Sequence, residues 1–249
     1  MDKAHQIDID GESAGKRPHP SETAGPRISQ SLTSRIYGQV LQRLLSGEMV
    51  PGQVFNRRQI AAELGVSVAP VLETMVQLQA EGLIETLPRK GTRVRQPTRE
   101  DLRGQLIVRE ALECQAARIA CGEPVRRQYK HLQRMADRID GTLHTSIEAW
   151  RDEVRFHHRL VLLAGVPTLS RSHDWIMKVG MFFSVHILHP AHASAPRDSH
   201  AQYVEALLTN DPDEAEKAVR THIRLGKEPF FDSGEPIKPA ILQMPGWLG

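Results

Sequence analysis

The stretch "ELGVSVAPVLETMVQLQAEGLIETLPRKGTRV", residues 63–94, decides the fold. Gly65 ends one helix and Ser67 is placed to cap the next. Pro70 is tolerated in that helix's first turn, where amides have no helical partner. Gly82 closes the helix. "LIET" and "TRVRQ" are β-prone runs joined by "LPRKG", which makes a hairpin with basic residues at its tip. Upstream, Leu32, Ile36, Val40, Leu41, Leu44 and Leu45 recur at helical spacing until Gly47, Pro51 and Gly52 break the pattern, and "RRQIAAELG" supplies a short second helix. The order helix, helix, turn, helix, hairpin predicts a winged helix-turn-helix over residues 29–97.

After "QPTRED" the pattern changes to long helical periods without strand signals. Helices are expected at about Glu100–Gly122, Pro124–Gly141, Ile147–Ala164, Pro167–Leu188, Pro196–Asn210 and Asp213–Lys227, forming an all-α bundle over residues 98–230. The fold class is therefore mainly α, with one small wing. Residues 1–28, rich in Gly, Pro, Ser and charge, read as a disordered tail, and residues 231–249 as a Pro/Gly-punctuated tail that packs on a neighbour through Trp247.

The 249 residues are 40% apolar and 25% charged, the balance of a soluble globular protein. The longest apolar runs, such as "VLLAGV", fall far short of the roughly 20 residues needed to cross a bilayer. Cys114 and Cys121 lie about 10 Å apart along one helix, too far to bridge, so a reducing cytoplasm is the expected location. The net charge of +2 hides an asymmetry: between residues 28 and 99, nine Lys/Arg face five acids. A basic module joined to a near-neutral one points to an anion binder coupled to a second activity.

The first domain resembles the GntR family of bacterial transcription regulators, in the branch with an FCD-type helical ligand domain. The Gly47…Pro51-Gly52 break, "IAAELGVS", Pro70-Val71, Glu73 and "EGLIE" keep that family's spacing. The resemblance implies a homodimer with paired third helices in adjacent major grooves of a double-stranded DNA operator, and wings along the minor grooves. The residues it places at DNA are Arg57, Arg58, Ser67, Val68, Ala69, Arg89, Lys90 and Gly91. Members usually carry Arg at the positions of Val68 and Leu72, so the usual bidentate guanine readers are missing here. Attachment then falls to Arg57, Arg58, Arg89 and Lys90.

In the second domain "EVRFHHRLVLLAGV" resembles the family's D-x-x-F-H helix, and "SHAQYVEALLTNDPDEAEKAVRTHI" its last two helices. The resemblance implies a divalent ion, Zn²⁺ or Ni²⁺, on Glu153, His157, His200 and His222, with Glu153 where the family usually has Asp. Glu153 and His157 are four apart and share a helical face, whereas Asp152 points away. "LIVREALECQAARIA" resembles the first ligand-domain helix, which makes Arg109 the effector-binding residue for a small organic acid. Its alternative role is an ion pair with Glu113 on the surface. His158 reads as hydrogen-bonded or exposed, "HILHPAH" (His186, His189, His192) as an unlikely metal site, and "VRRQYKHLQR" as a solvated helix face.

These features make an effector-controlled transcriptional repressor the leading expectation. A metal-dependent hydrolase and an interaction module with a degenerate winged helix are the competing ones.

Overall fold

The computed structural model describes residues 31–142, 147–187, 199–225, 227 and 231. His189, His192 and Trp247 lie outside them. Helix α1 (Leu32–Leu45) buries Ile36, Val40 and Leu44, the face its spacing predicts. Helix α2 (Arg57–Glu63) starts at Asn56, whose side chain accepts a hydrogen bond from the Arg58 amide at 2.8 Å. Helix α3 (Val68–Ala80) turns Val71, Met75 and Leu78 inward. Ser67 is its N-cap, but its side chain makes no capping bond.

The wing is the hairpin β2 (Ile84–Leu87) and β3 (Gly91–Val94), with Ile84 opposite Val94 and Leu87 opposite Gly91. A strand the sequence did not announce, β1 (Val54–Phe55), pairs antiparallel with the far edge of β3, giving the order β1-β3-β2. Its closeness explains Gly91: at φ +108 the residue sits where L side chains are strained, and a Cβ there would lie 2.9 Å from the Phe55 carbonyl oxygen. The wing is thus a three-stranded sheet rather than a hairpin alone.

The bundle follows. Helix α4 (Arg99–Ala120) opens with a reciprocal capping box between Thr98 and Asp101. Helices α5 (Glu123–Asp140), α6 (Ile147–Leu162), α7 (Pro167–Ile187), α8 (His200–Ala206) and α9 (Pro212–Arg224) complete it. The last two are shorter than their sequence patterns suggest. Phe156, Leu132, Val204, Val219 and Ile223 form one core. Full burial of each large side chain contributes about 1.5–3 kcal/mol relative to exposure. Across the bundle, Glu110 of α4 receives Arg224 at 2.6 and 3.0 Å and also Arg220.

A second core runs from the winged helix into the bundle: Ile36, Leu44, Leu78 and Val94 pack in one cluster with Leu102, Leu106, Phe182 and Phe183. Polar ties reinforce it. Lys178 of α7 donates to Tyr37 at 3.2 Å and to Glu81 at 3.4 Å, and His186 lies 3.1 Å from the Leu44 carbonyl oxygen. Arg95, just after the wing, pairs with Asp101 of α4 and donates to the Gly82 carbonyl at 3.4 Å. No single described helix is long and apolar enough to cross a membrane.

Candidate functional site

Two places in the fold gather chemistry. The first is the exposed side of the winged helix. Arg57, Arg58, Ser67, Val68, Ala69, Arg89 and Lys90 are all exposed, and Gly91 is partly buried under β1. Val68, Leu72 and Val76, four residues apart on α3, present an outward apolar stripe, at 42%, 42% and 62% exposure. Arg89 has φ +62, the single non-glycine residue with positive φ among the described residues. The Lys90 amide closes its turn onto the Leu87 carbonyl at 3.0 Å. This leaves a cationic tip on a turn whose third position normally favours glycine.

The second place is inside the bundle. Phe156 anchors α6 in the core, which turns its neighbours Glu153 and His157 toward α8 and α9. His200 enters from the first turn of α8 and His222 from the last turn of α9. The nearest ligand-type atoms of His157, His200 and His222 all lie within 4.8 Å of one another. Glu153 reaches into the same space, with Oε1 3.5 Å from His157 Nε2 and Oε2 3.1 Å from His200 Nε2. His157 and His200 are almost completely buried, and His222 nearly so.

The outer faces of these rings are fixed. His157 Nδ1 lies 2.8 Å from Glu113 Oε2. His200 Nδ1 lies 2.7 Å from Asp140 Oδ1. The His222 ring stacks on Tyr203 with centroids 4.3 Å apart. The inner faces are different: Glu153 Oε2, His157 Nε2, His200 Nε2 and His222 Nδ1 are buried without an aligned hydrogen-bond partner. Four orphaned polar atoms turned to one point would be costly in a core that held nothing. One carboxylate oxygen and three imidazole nitrogens suit a borderline divalent ion. The carboxylates behind two of the rings are the outer support typical of such ligands.

The electrostatics agree with the geometry. Burial pushes Glu153 up, but the facing His157 and His200 outweigh it and hold its carboxyl well below the usual range. Burial, with His157 and His200 beside it, drives His222 well below the usual imidazole value, so that it stays neutral. For His200 burial works downward, yet Glu153 and Asp140 raise it on balance.

Arg109 is 5% exposed, and its Nε donates to Glu113 Oε1 at 2.6 Å. The pair exists, but it is buried rather than on the surface. Glu113 is the hub: it also meets His157 and, at 3.1 Å, His173 Nε2. Burial would raise its carboxyl, but Arg109 first, then His157 and His173, keep it well below the ordinary range. His158 stacks on His173 with their Nδ1 atoms 3.3 Å apart. Asp140, His173 and Tyr203 carry no local sequence signal for this role, since their partners are far away along the chain. Glu113 was visible only as the residue four after Arg109.

Comparison with known proteins follows the same division. Residues 32–94 match the bacterial regulatory proteins of the gntR family, and residues 106–225 match the FCD domain. The chain is 30% identical over 203 residues to a probable D-xylose utilization operon transcriptional repressor from Paenarthrobacter nicotinovorans, covering 78% of this chain and 86% of that one. It is 23% identical over 242 residues to the transcriptional repressor NanR of Klebsiella aerogenes, covering 88% and 92%. Among solved structures, E. coli McbR/YncC superposes with a TM-score of 0.62 at 18% identity, over 82% of this chain and 99% of that one.

The fold and both domains therefore define a DNA-binding transcription regulator. The chain belongs to the GntR family, in the branch that carries an FCD domain.

Proposed function

We propose that this regulator is a homodimeric repressor whose operator binding is set by a small carboxylate effector at a metal centre. Glu153, His157, His200 and His222 would hold one divalent ion, Zn²⁺ or Ni²⁺. The observation that carries this reading is the convergence of their four unpartnered buried atoms. A bound cation supplies positive charge and an open coordination position for an anionic ligand. Arg109 lies beside it, with only its Nε engaged by Glu113, leaving the planar guanidinium able to orient a carboxylate. The repressor assignment is supported by the printed names of the two relatives. Homodimerisation is supported by Ile107 and Val108 of α4 and Trp175 of α7, apolar side chains left exposed.

At DNA, Arg57, Arg58, Arg89 and Lys90 would bind phosphates while the face of Ser67, Val68 and Ala69 lies in the major groove. The wild-type protein purified without chelator should carry about one ion per chain by elemental analysis, and His200→Ala should lose it. Occupancy should also fall as pH drops through about 6, because imidazole must be neutral to bind. Equal metal content in wild type and His200→Ala would sink the reading. Arg109→Ala should abolish the thermal stabilisation given by the effector while leaving the ion in place.

A further inference from the structure

The buried groups around the candidate metal centre restrict the charge of what can bind there. This inference rests on the reading that the centre holds a divalent ion and receives its ligand beside Arg109. Among the described residues Arg109 is the one buried Lys or Arg. Its charge is already met by Glu113 at 2.6 Å. Glu153 adds a second buried carboxylate at the ligand cluster.

Both acids are held ionised: burial opposes this, but Arg109, His157 and His173 act on Glu113, and His157 and His200 on Glu153. With neutral imidazoles, Arg109 and the two glutamates together carry one net negative charge, so a divalent ion brings the interior to one net positive charge. Asp140, partly exposed behind His200, adds further negative charge. Lys227, which bears on His222 from the rim, is partly exposed and already interacts elsewhere.

The space beyond the cluster offers no further cation. Past Glu113 and Tyr203 the bundle narrows into a crevice lined by Ala116, Ala117, Val125, Leu160 and Leu207. These side chains give a second carboxylate neither charge nor a hydrogen bond. An unpaired buried charge is strongly disfavoured.

We propose that this centre is matched to an organic acid with a single negative charge, and that Glu113 is the residue that excludes a second one. A short monocarboxylate neutralises the interior, and its apolar end suits the crevice wall. A dicarboxylate of equal length leaves one charge unpaired. Glu113 acts here as a positioning and selecting residue: it spends the Arg109 charge and fixes the ring of His157.

The test is isothermal titration of the full ion-loaded chain at a pH of about 8, where unperturbed imidazoles are mostly neutral. Butyrate is compared with succinate, and pentanoate with glutarate, and metal content is measured before and after. Each monoacid should bind at least about tenfold tighter than its diacid. Glu113→Gln, which removes the charge but keeps an oxygen for His157, should narrow that gap by strengthening the diacid. Succinate or glutarate binding the wild type as tightly as the matched monoacid overturns this inference and leaves the metal-centre reading standing. Failure of all four acids to bind a chain shown to carry its ion overturns both.

Discussion

Asp140, the last residue of α5, holds His200 by both its backbone and its ring. Oδ1 lies 2.7 Å from His200 Nδ1 and accepts from the His200 amide at 3.0 Å; Oδ2 accepts from Ser199 Oγ at 2.7 Å and the Ala201 amide at 3.2 Å. One carboxylate thus starts α8, orients its histidine and leaves Nε2 facing the cluster.

Asp140→Asn should preserve the shape while removing the charge and half of the acceptor capacity. Ion affinity is expected to fall by about 10–100-fold, the usual cost of losing such support. Competition with a chromogenic chelator measures it. A wild-type affinity in this variant would mean that the ring is held by packing against Phe156 and His222 alone.

The wing and α3 make a separate prediction. Without arginines at 68 and 72, operators selected from random duplexes at fixed salt should be poorer in obligatory G·C pairs, each missing bidentate contact being worth about 1–3 kcal/mol. Binding should weaken steeply with salt, since phosphate contacts carry it. Enrichment of no sequence by the wild type, together with clear enrichment by Val68→Arg and Leu72→Arg, would favour the interaction-module reading of the Val68–Leu72–Val76 stripe.

Cys114 gives a pH-dependent readout. Burial pushes its thiol up to about 12, against a partial downward pull from Arg220. Because the folded value is raised, its contribution to stability is complete below the unfolded value of about 8.5 and is lost as pH rises toward the folded one. At a pH of about 9 iodoacetamide should modify Cys114 slowly in the native chain and rapidly in denaturant. Equal rates in the two states would show that α4 and α9 open readily, because the thiol lies 3.8 Å from the Glu216 carbonyl oxygen.

Gly122 links α4 to α5 at φ +76, and a Cβ there would sit 2.5 Å from Asn210 Oδ1. Its amide donates to the Leu207 carbonyl at 3.0 Å, so the turn cannot simply swing away. Gly122→Ala should destabilise by about 2 kcal/mol from the forced left-handed backbone, with the close contact adding to it. The midpoint of denaturant unfolding should fall with an unchanged slope. A variant as stable as wild type would show that the turn accommodates a side chain by rearranging.

Much of this fold could be read from the chain because its boundaries are written locally. Gly47, Gly65 and Gly82 mark turns of the winged helix, and Thr98, Pro124, Pro167 and Pro212 stand at or next to helix starts. The two-residue strand β1 could not, since nothing but its pairing with β3 defines it. The same distinction holds at the centre. Glu153 and His157 declare a shared face by spacing, whereas Asp140 and His200 meet across 60 residues of sequence. Burial of the Arg109–Glu113 pair was equally invisible: the same i, i+4 spacing serves a solvated pair and a core one.

Helix α4 carries Asp101 at one end of its span and Glu113 at the other, about 18 Å apart at 1.5 Å per residue. Asp101 grips Arg95, which in turn holds the Gly82 turn at the foot of α3. A continuous helix behaves as a push-rod, so a displacement of Glu113 along its axis must reappear at that turn with little loss. The chain therefore needs no flexible relay between its two ends. The stiffness of one helix, fastened at Asp101, is itself the transmission.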